Sequence, residues 1–170
     1  MVTITDIKEM VMTTLRKTVR EKDTFMPVAF LNGQKTAVVG CPFNEDNKYY
    51  AMEVLGSIVR KMQATDLFLV VDSYVRMLDN KDEANWVTNN WEIEKPTMFP
   101  EQLRQSALVI NHIFPEDPTK NELTILVYDA KNNEVTIRQE ETCRTFDGEI
   151  LRSVMKGYNN SENYCMKGMN

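Results

Sequence analysis

Histidine is almost missing from this chain: His112 is the only one among 170 residues. A zinc site built on it would need cysteine or carboxylate partners. The three cysteines, Cys41, Cys143 and Cys165, keep none of the short spacings that hold a structural metal. No metal and no cofactor is therefore expected. The cysteines are odd in number and irregularly spaced, so they frame no disulfide pattern, and a reducing cytoplasm suits them. None of the six glycines falls in G-x-G-x-x-G or in G-x-x-x-x-G-K-S/T, so the backbone cradles of common nucleotide-binding enzymes are lacking. The longest apolar run, Leu67 to Val71, is far short of the roughly 20 residues that span a bilayer, and no membrane association is expected. The first residues carry a helix cap and acids where a signal peptide has a basic and then an apolar segment, so export by that route is not expected. Basic charge is in deficit as well, with 20 Lys and Arg against 25 Asp and Glu, a net charge of -5 and a pI near 5.0. A chain of that sign has no global attraction for a phosphate backbone, and no nucleic-acid partner is expected.

What the chain does have is the patterning of one folded domain. At this length a single core buries about two-thirds of the surface exposed when unfolded, which needs no metal or disulfide. Residues 1–158 read as one α+β domain and 159–170 as a polar, flexible tail. Ile4, Ile7, Val11, Leu15 and Val19 recur at helical spacing, predicting a helix over 4–22, with Thr3 or Asp6 as its cap. Met26 to Leu31 and Gln34 to Gly40 flank Asn32-Gly33, which predicts a hairpin closed by a type I′ turn. A second helix, led in by Cys41-Pro42-Phe43-Asn44-Glu45-Asp46, carries Ala51, Leu55, Ile58 and Met62 on one stripe, with acids at its first turn and Arg60 and Lys61 at its last. Leu67 to Val71 reads as a central strand that passes into alternation up to Met77. Residues 78–106 form a long polar excursion with Trp86, Trp91, Pro96 and Pro100, and a short helix only at Pro100 to Arg104. Strands follow at Ala107–Phe114, Leu123–Asp129 and Glu134–Glu141, the last at a sheet edge. Thr145 or Asp147 then caps a final helix bearing Ile150, Leu151, Val154, Met155 and Tyr158.

The fold class expected is a largely antiparallel sheet of five to six strands flanked by three helices. The order helix, hairpin, helix, strands, helix resembles that of profilin-like and roadblock-like domains over residues 4–158. The resemblance is one of topology; it implies a fold and no activity.

Several residues are candidates for chemistry. Cys41 stands between a strand and a helix, and paired with His112 it would make a nucleophile and base; Glu45 and Asp46 oppose the thiolate and Pro42 removes an amide donor. The plainer reading makes Cys41 a small buried residue and His112 a packed strand histidine. Asp72, Tyr74 and Arg76 share one face of a strand. Turned inward they line a polar pocket with His112; turned outward they are solvated while Val71, Ser73, Val75 and Met77 fill the core. Trp86 and Trp91 lie in polar surroundings, where an indole either anchors a partner or pins its segment to the domain. With no catalytic constellation complete, the first expectation is a non-enzymatic interaction or regulatory domain, acting as a homo-oligomer or as a subunit of a larger assembly. The alternative is a small-molecule-binding enzyme or sensor with its pocket near Asp72, Arg76 and His112. A structural virion component is a minor alternative, suggested by an Asn- and Met-rich composition of the kind found in phage reading frames.

Overall fold

The computed structural model describes residues 1–75, 80–90, 105–144 and 147–164. The first helix, α1 (Ile4–Glu21), opens on a reciprocal cap: Thr3 Oγ1 accepts from the Asp6 amide, and the Asp6 carboxylate accepts from the Thr3 amide. The cap is thus Thr3 with Asp6 at the third helical position, and the Thr3 contacts hold the Asp6 carboxyl below its usual pKa. The hairpin β1 (Val28–Asn32) and β2 (Ala37–Gly40) follows, then α2 (Lys48–Lys61) and β3 (Asp66–Val75). After α3 (Lys81–Asn89) come β4 (Gln105–Ile113), β5 (Glu122–Lys131) and β6 (Glu134–Arg144), then α4 (Glu149–Asn159) and a 3₁₀ turn at Ser161–Asn163.

All six strands form one antiparallel sheet, β2-β1-β3-β4-β5-β6. The fold is mixed α+β, as the patterning predicts, with β3 interior and β6 at an edge. Alternate strand residues feed two cores. On one face Phe30, Phe68, Val70, Leu108, Ile110 and Leu126 pack under α1 through Ile7, Val11 and Leu15. On the other, Leu31, Leu67, Leu69 and Ile113 pack under α2 and α4 through Leu55, Val59 and Val154. Helices α2 and α4 approach backbone to backbone: a Cβ on Gly157 would lie 1.7 Å from the Glu53 carbonyl oxygen, and one on Gly56 1.9 Å from that of Val154. Glycine is required at that crossing by space alone.

Four local expectations are corrected. Neither Asn32 nor Gly33 has positive φ, so no type I′ turn forms there; the turn with two left-handed residues is at Asn132 (φ 54°) and Asn133 (φ 61°), between β5 and β6. Asn32 instead ends β1 and spends its side chain on buried partners described below. Helix α2 begins at Lys48, leaving Glu45 and Asp46 ahead of its first turn. Helix α4 is capped by Gly148 without a side-chain bond, while Asp147 pairs with Arg152 at 2.7 Å; Thr145 lies outside the described residues. Part of the 78–106 excursion is helical: Asn80 Oδ1 accepts from the Glu83 amide at 2.9 Å and starts α3, with Asp82 and Glu83 in its first turn. That helix buries only Val87, so apolar periodicity gives no sign of it. The short helix expected at 100–104 lies outside the described residues, as does the tail beyond 164. The start of that tail docks on α2, where Tyr164 Oη donates to Glu53 at 2.8 Å.

Candidate functional site

The register of the sheet lines up one residue from each strand on the α1 face: Val38, Phe30, Phe68, His112, Glu122 and Arg144. Each is the direct cross-strand neighbour of the next, about 5 Å away. His112 sits within this row with its ring stacked on Phe68, centroids 3.8 Å apart, and tilted against Phe114 at 4.3 Å.

Behind the ring lies a buried polar hub. Asp66, at the first position of β3, is 5% exposed. Its Oδ2 accepts from His112 Nε2 at 2.8 Å and from Asn32 Nδ2 at 3.0 Å, and its Oδ1 accepts from Thr65 Oγ1 at 2.8 Å. Burial alone would push the Asp66 carboxyl up, but the hydrogen bonds from His112, Asn32 and Thr65 outweigh it and hold the group below the ordinary value. Asp66 is therefore an ionised acceptor, and Nε2 of His112 carries the hydrogen. Asn32 also grips the chain ahead of α1: its Nδ2 donates to the Val2 carbonyl and its Oδ1 accepts from the Val2 amide, both at 2.9 Å. The hub thus ties the start of α1, β1, β3 and β4 to one carboxylate.

The β4–β5 connection folds over the open side of His112. The buried side chain of Asn121 accepts from the Phe114 amide at 2.8 Å and pins the ends of the loop together, and a 3₁₀ turn at Pro118–Lys120 sets Thr119 and Lys120 above the ring. The result is a cleft of about 350 Å³ lined by His112, Phe114, Thr119, Lys120, Glu122 and Arg144. The two cations at its rim are exposed; Lys120 lies 3.4 Å from Asp117, and one contact of Arg144 is with Glu122 at 3.9 Å.

The residues singled out in the sequence are not assembled as anticipated. Cys41 is buried in the core beneath α2 and α4, on the opposite side of the sheet from the Phe68 that carries His112. Burial raises its thiol to a pKa of about 11, so it is a core thiol and no nucleophile paired with His112. Asp72 and Tyr74 face the α1 side but lie toward the other end of β3: His112 is opposite Phe68, four residues from Asp72, or about 13 Å along the strand. Tyr74 is exposed. Asp72 accepts instead from Tyr128 Oη at 2.8 Å. The residue as a whole is exposed, yet crowding around its carboxyl raises the pKa, the Tyr128 bond only partly opposing this. Arg76 and Trp91 lie outside the described residues. Trp86 is on α3 and 51% exposed, while its neighbour Val87 is buried.

Asp66, Asn32, Lys120 and Arg144 were missed in the sequence. The one available sign was Thr65-Asp66 set directly ahead of a fully apolar strand, an acid placed where burial is expected. Among the described residues no group of three or more His, Cys, Asp or Glu is arranged to hold a metal ion, and no helix is long and apolar enough to cross a membrane. The chain matches no protein-family model, no curated protein and no solved structure.

Proposed function

We propose that this chain is a non-enzymatic interaction or regulatory domain of the reducing cytoplasm, and that it associates with a second copy of itself through the β2 edge of its sheet. The observation that carries this reading is that the two edges of the sheet are built differently. The β6 edge is long but defended: it is bulged at Arg138, where the register with β5 shifts, and it displays Glu134, Arg138, Glu140, Glu141 and Arg144. A bulge and charges are the devices by which a sheet edge avoids pairing with another chain. The β2 edge has neither. Its four residues are uncharged and regularly paired with β1.

The surface above β2 is apolar too. Helix α1 pairs across the sheet with β6 through Lys8 and Glu140, and Val38, on the same face, is left 63% exposed beside an exposed Met26. Antiparallel pairing about a two-fold axis at Val38 sets Val38 against Val38 of the second copy, Ala37 against Val39 and Thr36 against Gly40. No charge meets a like charge in that register, and the exposed methyl groups become each other's cover. Separation of Cys41 from His112 across the sheet, together with the buried state of the thiol, speaks for a binding role over nucleophilic catalysis.

Native mass spectrometry of the purified chain, set beside its denatured mass, tests the proposal. A dimer of exact chain mass is expected, and Val38→Lys, which sets two ammonium groups face to face on the axis, returns it to a folded monomer whose melting temperature no longer depends on protein concentration. A wild-type monomer at tens of micromolar, or a dimer that survives Val38→Lys, would overturn it.

A further inference from the structure

Asn32-Gly33 is the one Asn-Gly pair in the chain, and it forms no type I′ turn. It is also the dipeptide in which an asparagine side chain reacts most readily with its own backbone. The amide nitrogen that follows attacks the side-chain carbonyl carbon, and glycine, without a Cβ, leaves that approach open. The fold places this reactive pair where the reaction is blocked. Asn32 is 1% exposed, and its side chain makes three hydrogen bonds: Nδ2 donates to the Val2 carbonyl at 2.9 Å and to Asp66 Oδ2 at 3.0 Å, and Oδ1 accepts from the Val2 amide at 2.9 Å. The peptide group between Asn32 and Gly33 is held too, because the Thr65 amide donates to the Asn32 carbonyl at 2.7 Å and Asn32 pairs with Asp66 at the end of the β1–β3 ladder. Ring closure requires the side chain to drop all three bonds and the residue to leave its strand conformation.

We propose that Asn32-Gly33 is a latent self-modification site, blocked while the corner between α1, β1 and β3 is closed and consumed when that corner opens, with water as the only co-reactant. The Gly33 nitrogen forms a bond to Asn32 Cγ and gives up its hydrogen. The bond from Cγ to Nδ2 breaks, and the side-chain nitrogen leaves as ammonia, which carries that hydrogen away and leaves a cyclic imide. Water then adds to one of the two imide carbonyls. Cleavage between Cγ and the Gly33 nitrogen restores the ordinary main chain with aspartate at position 32. Cleavage on the other side routes the main chain through the side chain as isoaspartate. Nothing is oxidised or reduced in either branch.

Neither product lets the corner close as before. In aspartate an oxygen replaces Nδ2, so the Val2 carbonyl loses its donor and a second carboxylate faces the ionised Asp66 in a place where the two residues are 1% and 5% exposed. Isoaspartate adds a methylene to the main chain at the last residue of β1, where Leu31 must pair with Leu67 and Asn32 with Asp66. Both remove the clamp that Asn32 places on Val2, directly ahead of α1. A transient local opening is thereby converted into a lasting release of the start of α1, a mark carried only by chains that have opened. The site is independent of self-association at β2.

The test follows the peptide spanning residues 32 and 33 by mass spectrometry, which reads the change from amide to acid. The protein is kept in native buffer or in urea at the same mildly alkaline pH and temperature. Conversion in urea is expected to be at least about tenfold faster, since it no longer waits for the corner to open. Gly33→Ala, whose Cβ would meet nothing closer than 3.4 Å in the fold, should slow conversion in urea, which identifies the nitrogen of residue 33 as the attacking atom. Val2→Pro removes the hydrogen that Asn32 Oδ1 accepts. Held in native buffer under conditions where circular dichroism shows it folded, this variant should convert at least about threefold faster than the wild type. Asn32→Asp supplies one product directly, and its urea midpoint should lie below that of the wild type; failure to fold is the extreme of the same result. Equal conversion in native buffer and in urea, Gly33→Ala as fast as the wild type in urea, Val2→Pro no faster than the wild type, or Asn32→Asp as stable as the wild type would each overturn the proposal.

Discussion

His112 Nε2 lies 2.8 Å from Asp66 Oδ2, joining residues 46 positions apart in the chain through a carboxylate that also receives Asn32 and Thr65. The bond exists because β3 and β4 pair antiparallel with Phe68 opposite His112, which sets the first residue of β3 beside the far end of β4. An acid this deep is tolerable only when its acceptor sites are filled, and here three donors fill them. The hub is at once a structural clamp on the start of α1 and the mount for the one imidazole.

The stability of the fold should depend on pH through Asp66. Its folded pKa is depressed below the ordinary 3.8. The stabilisation is thus complete above that value and is lost as the pH falls through the lowered one. Urea unfolding from about pH 5 down to about pH 2 should show wild-type stability falling toward that of Asp66→Asn, the variant being flatter over this window. Asp66→Ala, which strands three donors in the interior, should cost about 3 kcal/mol at neutral pH. Asp72 has the opposite sign. Its folded pKa is raised, so its ionisation opposes folding above the unfolded value, and Asp72→Asn should stabilise the protein at neutral pH but not at pH 3. Parallel acid limbs for wild type and Asp66→Asn would show that the hub holds no depressed carboxylate.

Much of this architecture was legible because its causes are local. The α1 stripe, the polar start at Thr3 and the unbroken run Leu67 to Val71 each determine an element from neighbours in sequence, and the strand order follows largely from short connections. The candidate site was legible only in its histidine. Whether His112 meets Asp72 or Asp66 depends on register between β3 and β4, and a shift of a few residues moves the partner by a full cleft width. Asn32 illustrates the same limit from the other direction. Asn-Gly is a strong local turn signal, yet two hydrogen bonds to Val2 and one to Asp66 recruit the asparagine into the core and the turn is made without it. Helix α3 was hidden because a helix with one buried residue leaves almost no apolar period to read.

The crossing of α2 and α4 gives a sharp steric prediction. With the Glu53 carbonyl oxygen 1.7 Å from the site of a Cβ, Gly157→Ala has no rotamer to adjust, since the obstacle is backbone. The helices must move apart, opening the core around Leu55 and Val154, and the cost should be about 3 kcal/mol or more. Gly148 is the control. A Cβ there meets nothing within 4 Å, its φ of -175° is open to any residue, and serine at this cap position would add an acceptor for the first turn of α4. Gly148→Ser should therefore be neutral or raise stability by a few tenths of a kcal/mol. Equal unfolding midpoints for Gly157→Ala and wild type would mean that the two helices pack less closely than described.

Helix α3 separates the two roles open to an indole in a polar segment. Trp86 is 51% exposed, while Val87, the next residue, is the one that α3 buries. Truncating an exposed ring removes little that folding gains, so Trp86→Ala should shift stability by no more than about 0.5 kcal/mol. Val87→Ala, which empties a packed site, should cost about 1.5 kcal/mol or more. Thermal unfolding of the two variants in parallel decides the matter. If Trp86→Ala melts as early as Val87→Ala, the ring belongs to the body of the domain and has no surface to offer. If it melts with the wild type, a large apolar side chain is being held in water by a helix that does not need it for folding, as a partner-facing anchor requires.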